Sequence, residues 1–74
     1  MKITIESINK IVHLNGIPAR IWEGETASGI RVHCFITRIA VGKGETRIEE
    51  FEAELEETVS PSPEIAVYSS RLIL

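Results

Sequence analysis

Aspartate is absent from this sequence of 74 residues, and all eleven acidic residues are glutamate. This excludes catalytic sites built on aspartate and calcium loops that begin with it, because both need that side chain at fixed positions. The absence also removes one of the usual N-cap residues of helices.

Cysteine occurs once, as Cys34, so no disulfide can form within the chain. A single cysteine fits a reducing, cytoplasmic setting. The first ten residues, MKITIESINK, alternate and carry charge, unlike a signal peptide. No apolar run approaches the roughly 20 residues of a membrane span. We therefore predict a cytoplasmic protein that has no membrane segment.

Residues with recognisable chemistry are also scarce. The serines lie in no G-x-S-x-G motif, and the glycines form no phosphate-binding loop. His13 and His33 lack the further Cys, Asp or nearby Glu that would complete a metal site. We predict a protein that is not an enzyme and has no catalytic residue, metal or cofactor, and we interpret both histidines as ordinary sheet-surface residues.

The length of 74 residues predicts one domain, 1–74. A domain of this size has a small core, so self-association is a reasonable expectation. Charge is uneven along the chain. Residues 1–44 hold six basic residues and three Glu, or +3, whereas residues 45–74 hold two Arg and eight Glu, or −6. The total of −3 is not typical of a nucleic-acid binder.

The stretch 9–41 predicts three antiparallel strands. Asn15-Gly16 between apolar residues is typical of a two-residue hairpin turn, because both residues tolerate positive φ. This turn pairs Leu14 with Ile17, Val12 with Ala19 and Lys10 with Ile21. We place the second turn between Gly24 and Gly29, which pairs Glu23 with Ile30 and Trp22 with Arg31.

These two registers sort the strand residues into two faces, since side chains alternate along a strand. One face is aliphatic and is predicted to be the core; it contains Val12, Leu14, Ile17, Ala19, Ile21, Ile30, Val32, Cys34 and Ile36. On this face Cys34 lies beside Ala19 as a buried, inert thiol. The alternation loses phase at Thr37-Arg38, where we expect a bulge or the end of the strand.

The opposite, outer face mixes aromatic, basic and apolar residues and is the predicted interaction face. Its members are Ile11, His13, Arg20, Trp22, Arg31, His33 and Phe35, with Pro18 beside them. Three interpretations stay open: a protein interface, where Trp and Arg are enriched; a sheet surface on which Trp22 stacks with Arg31; and a platform that stacks single-stranded bases. We favour a homodimer or another protein partner.

Residues 45–58 predict the helix, because Ile48, Phe51 and Leu55 recur at helical spacing. Thr46 is a possible cap, and the narrow stripe is expected to lie on the aliphatic face. Glu56 and Glu57 oppose the helix dipole and predict a basic neighbour, either from the rim of the sheet or from a partner.

Two further strands are predicted at the ends of the sequence. Residues 2–6 predict a short first strand, which either bends at residues 7–9 or runs on through them. Residues 60–63, SPSP, predict an extended linker. The apolar runs 65–68 and 71–74 predict a C-terminal strand that docks in this chain or in a second one. The fold class is therefore α+β: an antiparallel meander, one amphipathic helix on one face and a C-terminal strand.

Several segments together resemble small uncharacterised proteins encoded in bacteriophage and prophage genomes. They are residues 15–24 (NGIPARIWEG), 28–30 (SGI), 36–40 (ITRIA) and 51–55 (FEAEL). The resemblance covers most of the chain and contains no functional motif. It implies a bacterial cytoplasmic setting and an accessory role in phage biology, and it implies no activity and no site residues.

Overall fold

The structure, a computed structural model, describes residues 1–63. It contains strands β1 (Ile3–Leu14), β2 (Ile17–Thr26) and β3 (Arg31–Ile36), followed by helix α1 (Ile48–Glu56). The strands form an antiparallel sheet in the order β1-β2-β3. A three-stranded antiparallel meander with one helix confirms the α+β class. The predicted C-terminal strand, 65–68 and 71–74, lies outside the described residues.

The first hairpin has the predicted turn and register. Asn15 and Gly16 both have positive φ, 52° and 82°, as a type I′ turn requires. Leu14 pairs with Ile17 and Val12 with Ala19, as predicted. The pairing of Lys10 with Ile21 was wrong, because the register shifts between Ser7 and Ile11.

The shift leaves β1 residues 8–10 opposite the single residue Ile21, and Ser7 pairs with Trp22 beyond it. Two extra residues in one strand preserve the alternation of faces, since that alternation has a period of two. β1 therefore runs through residues 7–9 as one long strand and keeps Ile8 against Ile21. Ile8 is fully buried there.

The predicted register of the second hairpin was wrong by three residues. β2 continues through Gly24 to Thr26, and the turn lies at Ala27-Ser28, followed by Gly29 with φ of 90°. Glu23 consequently pairs with His33 and not with Ile30. The Gly29 amide donates to the Thr26 carbonyl at 3.0 Å, which closes the loop.

The predicted register was wrong because it placed Gly24 at the start of the turn. Gly24 is a strand residue at a point where two backbones approach closely. A Cβ built on Gly24 would lie 1.8 Å from the Thr4 carbonyl oxygen and 2.7 Å from the Ile5 Cα. Glycine serves such contacts as well as turns. The glycine that we placed at the start of the loop is therefore part of the pairing between β1 and β2.

A shift of three residues is odd, so every β3 side chain lies on the face opposite to its predicted one. We define the Ile21 face by Val12, Leu14, Ile17, Ala19, Ile21, Glu23, Arg31, His33 and Phe35. The Trp22 face contains Ser7, Ile11, His13, Pro18, Arg20, Trp22, Val32, Cys34 and Ile36. Cys34 is half-buried opposite Trp22, and its predicted place beside Ala19 was wrong.

The core is small and lies on the Ile21 face. Ile8 and Ile21 form its centre, and the partly buried Val12 and Phe35 pack against them. The burial of Phe35 in this cluster favours the observed register, because it removes an aromatic ring from water.

β3 ends at Ile36, just before the alternation of apolar residues breaks at Thr37-Arg38. Of the two predicted alternatives, a bulge or the end of the strand, the second is observed. The stretch predicted to form the strands extends to residue 41, five residues beyond the observed end of β3. The turn at Lys43-Gly44 is present, with φ of 88° at Gly44, and it lies in the connection between β3 and α1.

Helix α1 has nine residues, fewer than the predicted 45–58. Arg47 occupies the N-cap position without a side-chain cap bond, so the predicted cap by Thr46 was wrong. Glu45 instead accepts hydrogen bonds from the Arg47 amide (3.0 Å) and Nε (2.6 Å). Phe51 and Leu55 of the predicted stripe are half-buried.

The C-terminal end of α1 is joined to the Trp22 face. The Arg20 guanidinium donates to the Leu55 carbonyl, and the Ser7 hydroxyl donates to the Glu57 carbonyl at 2.8 Å. These contacts lie on the face opposite to the one predicted for the helix. The last carbonyls of a helix lack partners within it, and Ser7 and Arg20 supply the donors. Arg20 is also the basic neighbour predicted for this helix end.

Residues 57–62, which we call the strap, pass around the edge of β1. The Val59 amide donates to the Ser7 carbonyl at 2.9 Å and forms a parallel bridge with Ile8. Ser62 then donates from its amide and its hydroxyl to the Glu23 carboxylate on the Ile21 face. The strap is therefore anchored to the sheet at both faces, and Ser62 is the anchor within the predicted linker 60–63.

Candidate functional site

The predicted interaction face is divided between the two faces of the sheet. Ile11, His13, Arg20 and Trp22 share the Trp22 face, as predicted. The other three residues, Arg31, His33 and Phe35, lie on the Ile21 face because of the β3 register. The seven residues therefore do not form one surface.

The three residues found on the Ile21 face, Arg31, His33 and Phe35, have different surroundings. Phe35 packs against the core. His33 Nε2 lies 3.0 Å from Glu23 Oε1. Arg31 is exposed and pairs with Glu25 across the sheet, so its predicted stacking on Trp22 was wrong.

The Trp22 face forms one wall of an open cleft of about 290 Å³. The connection after β3 and the side of α1 supply the remaining walls. The lining residues are Ile11, Pro18, Arg20, Trp22, Ile36, Thr37, Arg38, Ile39 and Leu55. The lining contains six apolar or aromatic residues, two arginines and one threonine, and it contains no carboxylate.

The polar groups of this cleft are mainly hydrogen-bond donors. Arg20 and Arg38 have only donors, and the Thr37 hydroxyl can donate or accept. The Trp22 indole nitrogen, also a donor, is buried and has no hydrogen-bond partner among the described atoms. The cleft therefore suits a partner that has apolar surface and negatively charged acceptors.

A second cleft, of about 500 Å³, lies on the other side of Trp22, between β1 and the helix end. Trp22, Ile39 and Leu55 line both clefts, so these three side chains form the ridge between them. The second cleft also carries Glu6, Glu54 and Glu57. Its carboxylates make it electrostatically different from the first, although the two clefts adjoin.

Glu23, His33 and Ser62 form a polar cluster on the Ile21 face that the sequence does not predict. The Glu23 side chain is only 9% exposed. Burial raises the pKa of this carboxyl, but hydrogen bonds from the Ser62 hydroxyl and amide and from His33 outweigh it, and the pKa lies below its ordinary value of 4.5. Glu23 and Ser62 are 39 positions apart, and no local pattern connects them.

This cluster contains the residue types of a catalytic triad but has a different arrangement. In a triad the imidazole lies between the hydroxyl and the carboxylate and removes the hydroxyl proton. Here the carboxylate is the acceptor for both the Ser62 hydroxyl and the imidazole of His33. The cluster therefore anchors the strap, and this geometry does not activate the serine.

Within residues 1–63, no group of three His, Cys, Asp or Glu side chains is arranged to hold a metal ion. The helix of this same region is too short and too polar to cross a membrane. Comparison with models of protein families, with curated proteins and with solved structures finds no match to this chain.

Proposed function

We propose that this chain is a non-enzymatic protein-interaction module that functions as a homodimer. The observation that carries the proposal is the imbalance between buried and exposed apolar residues. Among residues 1–63, only Ile8, Ala19 and Ile21 are buried apolar residues. Eight large apolar residues of the same region are exposed: Met1, Ile3, Ile11, Ile17, Ile30, Ile39, Ile48 and Val59.

A small domain gains little free energy from so few buried side chains, because each contributes about 1.5–3 kcal/mol at most. Association removes further apolar surface from water and stabilises such a chain. The Trp22 face is the proposed interface. Ile11 is exposed on this face, Ile39 is exposed in the connection beside it, and Trp22 lies between the two clefts.

The proposal has three further parts, and the second and third are predictions from the sequence. α1 packs on the Trp22 face, which its bonds to Arg20 and Ser7 support. The apolar runs 65–68 and 71–74 add a strand, within the chain or between chains. The resemblance to phage and prophage proteins and the single cysteine support a bacterial, cytoplasmic, phage-accessory setting.

The competing prediction was a platform for single-stranded nucleic acid. That platform needed Trp22 and Phe35 side by side with Arg20 and Arg31. The β3 register separates Phe35 and Arg31 from Trp22, so the paired aromatic surface does not form. A net charge of −3 also disfavours a polyanion as the partner.

Sedimentation velocity at micromolar concentration tests the proposal. The wild-type chain is expected to sediment as a dimer of its 8.3 kDa subunit. Ile11→Arg places a charge on the Trp22 face and should give a folded monomer. Ile17→Arg is the matched control, because Ile17 is similarly exposed, 55% against 58%, but lies on the Ile21 face.

A wild-type chain that stays monomeric would remove the homodimer proposal. A dimer that persists in Ile11→Arg would exclude the Trp22 face as its interface. Quenching of Trp22 fluorescence by a single-stranded oligonucleotide at low salt would instead support the nucleic-acid alternative.

A further inference from the structure

We infer that the cleft beside Trp22 receives the acidic side of α1 from a second copy of this chain. This inference rests on the homodimer proposed above and specifies the surfaces that meet. It starts from the chemistry of the cleft. The cleft is apolar, its charged groups are Arg20 and Arg38, and no acidic side chain lines it.

The complementary surface is a row of carboxylates on α1. Glu49, Glu52 and Glu56 recur at i, i+3 and i+7, so they share one side of the helix. All three are exposed. The ion pairs found among residues 1–63 are His33–Glu23 and Arg47–Glu45, and neither involves this row.

The row does not line the cleft of its own chain. Phe51 and Leu55 are the half-buried residues of α1, and Leu55 lines the cleft. Around the helix axis, at 100° per residue, Glu49 and Glu56 lie about 140° and 120° from the middle of this pair, and Glu52 lies about 80° from it. A helix from another molecule can present the same row to Arg20 and Arg38 without this constraint.

Symmetry makes the contact self-complementary. Each copy offers one basic apolar cleft and one acidic helix, so a two-fold axis forms two equivalent contacts and leaves neither surface unpaired. Arg20 and Arg38 of each copy then face Glu49, Glu52 and Glu56 of the other copy. Such complementarity orients the partners and disfavours mismatched association.

A charge-swap experiment on the full chain tests the inference. Arg38→Glu and Glu52→Arg each place like charges in the contact, and each should weaken dimerisation about tenfold or more. An equimolar mixture of the two variants should recover wild-type affinity, because each contact in the mixed dimer again joins opposite charges. Sedimentation equilibrium measures all three dissociation constants.

Arg31→Glu is the control, because Arg31 is an exposed arginine on the Ile21 face. It should leave the dissociation constant unchanged. Circular dichroism establishes that each variant is folded; Arg38 and Glu52 are both exposed, so reversal of either charge should preserve the fold. The wild-type dimer should also weaken as sodium chloride is raised.

The outcomes separate the two proposals. A wild-type dimer that neither reversal weakens, or a mixture that does not recover affinity, overturns the helix-in-cleft contact and leaves the homodimer intact. A wild-type monomer overturns the homodimer and the contact together. Recovery in the mixture supports both, since only contacts between molecules can produce it.

Discussion

At the scale of single residues, Gly16 and Gly24 each require glycine, but for different physical reasons. Gly16 has a φ of 82°, and a Cβ there would have no atom within 4 Å. Gly24 has no positive φ, but its Cβ would overlap the backbone of Thr4. The first glycine is needed for its conformation and the second for the space that it leaves.

Gly24→Ala should therefore destabilise the chain by about 3 kcal/mol, the upper end of the range for overpacking, because a backbone atom cannot rotate away. Urea unfolding measures this loss. Gly42→Ala is the control, since Gly42 has open space around it and no positive φ. It should change the free energy of unfolding by less than about 1 kcal/mol. Equal effects of the two substitutions would contradict the pairing of Gly24 with Ile5.

Glu23 is the residue on which the strap depends. Its carboxylate accepts hydrogen bonds from the Ser62 amide at 3.1 Å, from the Ser62 hydroxyl, and from His33. These bonds lower the pKa of Glu23 below 4.5 although burial opposes them. The charged form is thus the form that the folded chain prefers.

The pH dependence of stability follows from this direction. A carboxyl whose pKa is lower in the folded chain stabilises the fold above its unfolded pKa, and the contribution is lost as the pH falls through the folded pKa. The free energy of unfolding should decline as the pH falls below 4.5. Glu23→Gln should be less stable by about 1–2 kcal/mol at neutral pH, because it loses charged hydrogen bonds.

The free energy of unfolding of Glu23→Gln should also fall less steeply below pH 4.5 than that of the wild-type chain. Urea unfolding followed by circular dichroism measures it at each pH. Glu50→Gln, in an exposed position on α1 outside the acidic row, should keep the wild-type profile. An identical slope for Glu23→Gln and the wild-type chain would show that the carboxylate does not hold the strap.

At the scale of elements, α1 needs stabilising contacts from the rest of the chain. Nine residues are too few for a helix to be stable alone in water. Glu49 and Glu50 in its first turn favour the helix dipole, but its N-cap has no side-chain bond. Burial of Phe51 and Leu55 and the two bonds at its C-terminal end must therefore stabilise it.

Phe51→Ala should destabilise the chain by about 1–2 kcal/mol, less than for a fully buried phenylalanine, because the ring is half-buried. Glu50→Ala, one position along, exposed and outside the acidic row, should stay within about 0.5 kcal/mol of the wild type. Chemical denaturation gives both values. Similar losses from the two changes would show that the stripe containing Phe51 does not face the sheet.

At the scale of the whole molecule, the proposed dimer couples folding to association. If each subunit gains stability mainly from its partner, the unfolding midpoint depends on chain concentration. A hundredfold rise in concentration should stabilise the wild-type dimer by about 2.7 kcal/mol. Thermal unfolding at two concentrations measures this, and Ile11→Arg should show no such dependence. A wild-type midpoint that does not change with concentration would contradict coupled association.

The local features of this fold were predictable from sequence. Asn15-Gly16 specifies its turn because both residues accept positive φ, and no distant residue changes that preference. The apolar spacing around Phe51 indicates a helix for a similarly local reason. The common face of Ile11, His13, Arg20 and Trp22 follows from the first hairpin, since that turn fixes the register beside it.

The second register and the site depend on contacts between distant residues. Gly24 and Gly29 are identical in the sequence, and only the approach of Thr4 to Gly24 shows which of them belongs to the strand. That choice moves Phe35 from the predicted interface into the core and removes Arg31 from Trp22. The bond between Ser62 and Glu23 likewise joins residues 39 positions apart.

The sequence by itself determined the α+β class, the first hairpin, the helix and the uneven distribution of charge. Those properties follow from conformational preference and short-range periodicity, which neighbouring residues encode. Only the tertiary structure decided which β3 residues share a face with Trp22, which face bonds to the helix end, and where the strap is anchored. A strand presents one side chain or the next to a given face according to its pairing, so one distant steric contact reverses the assignment of a whole strand.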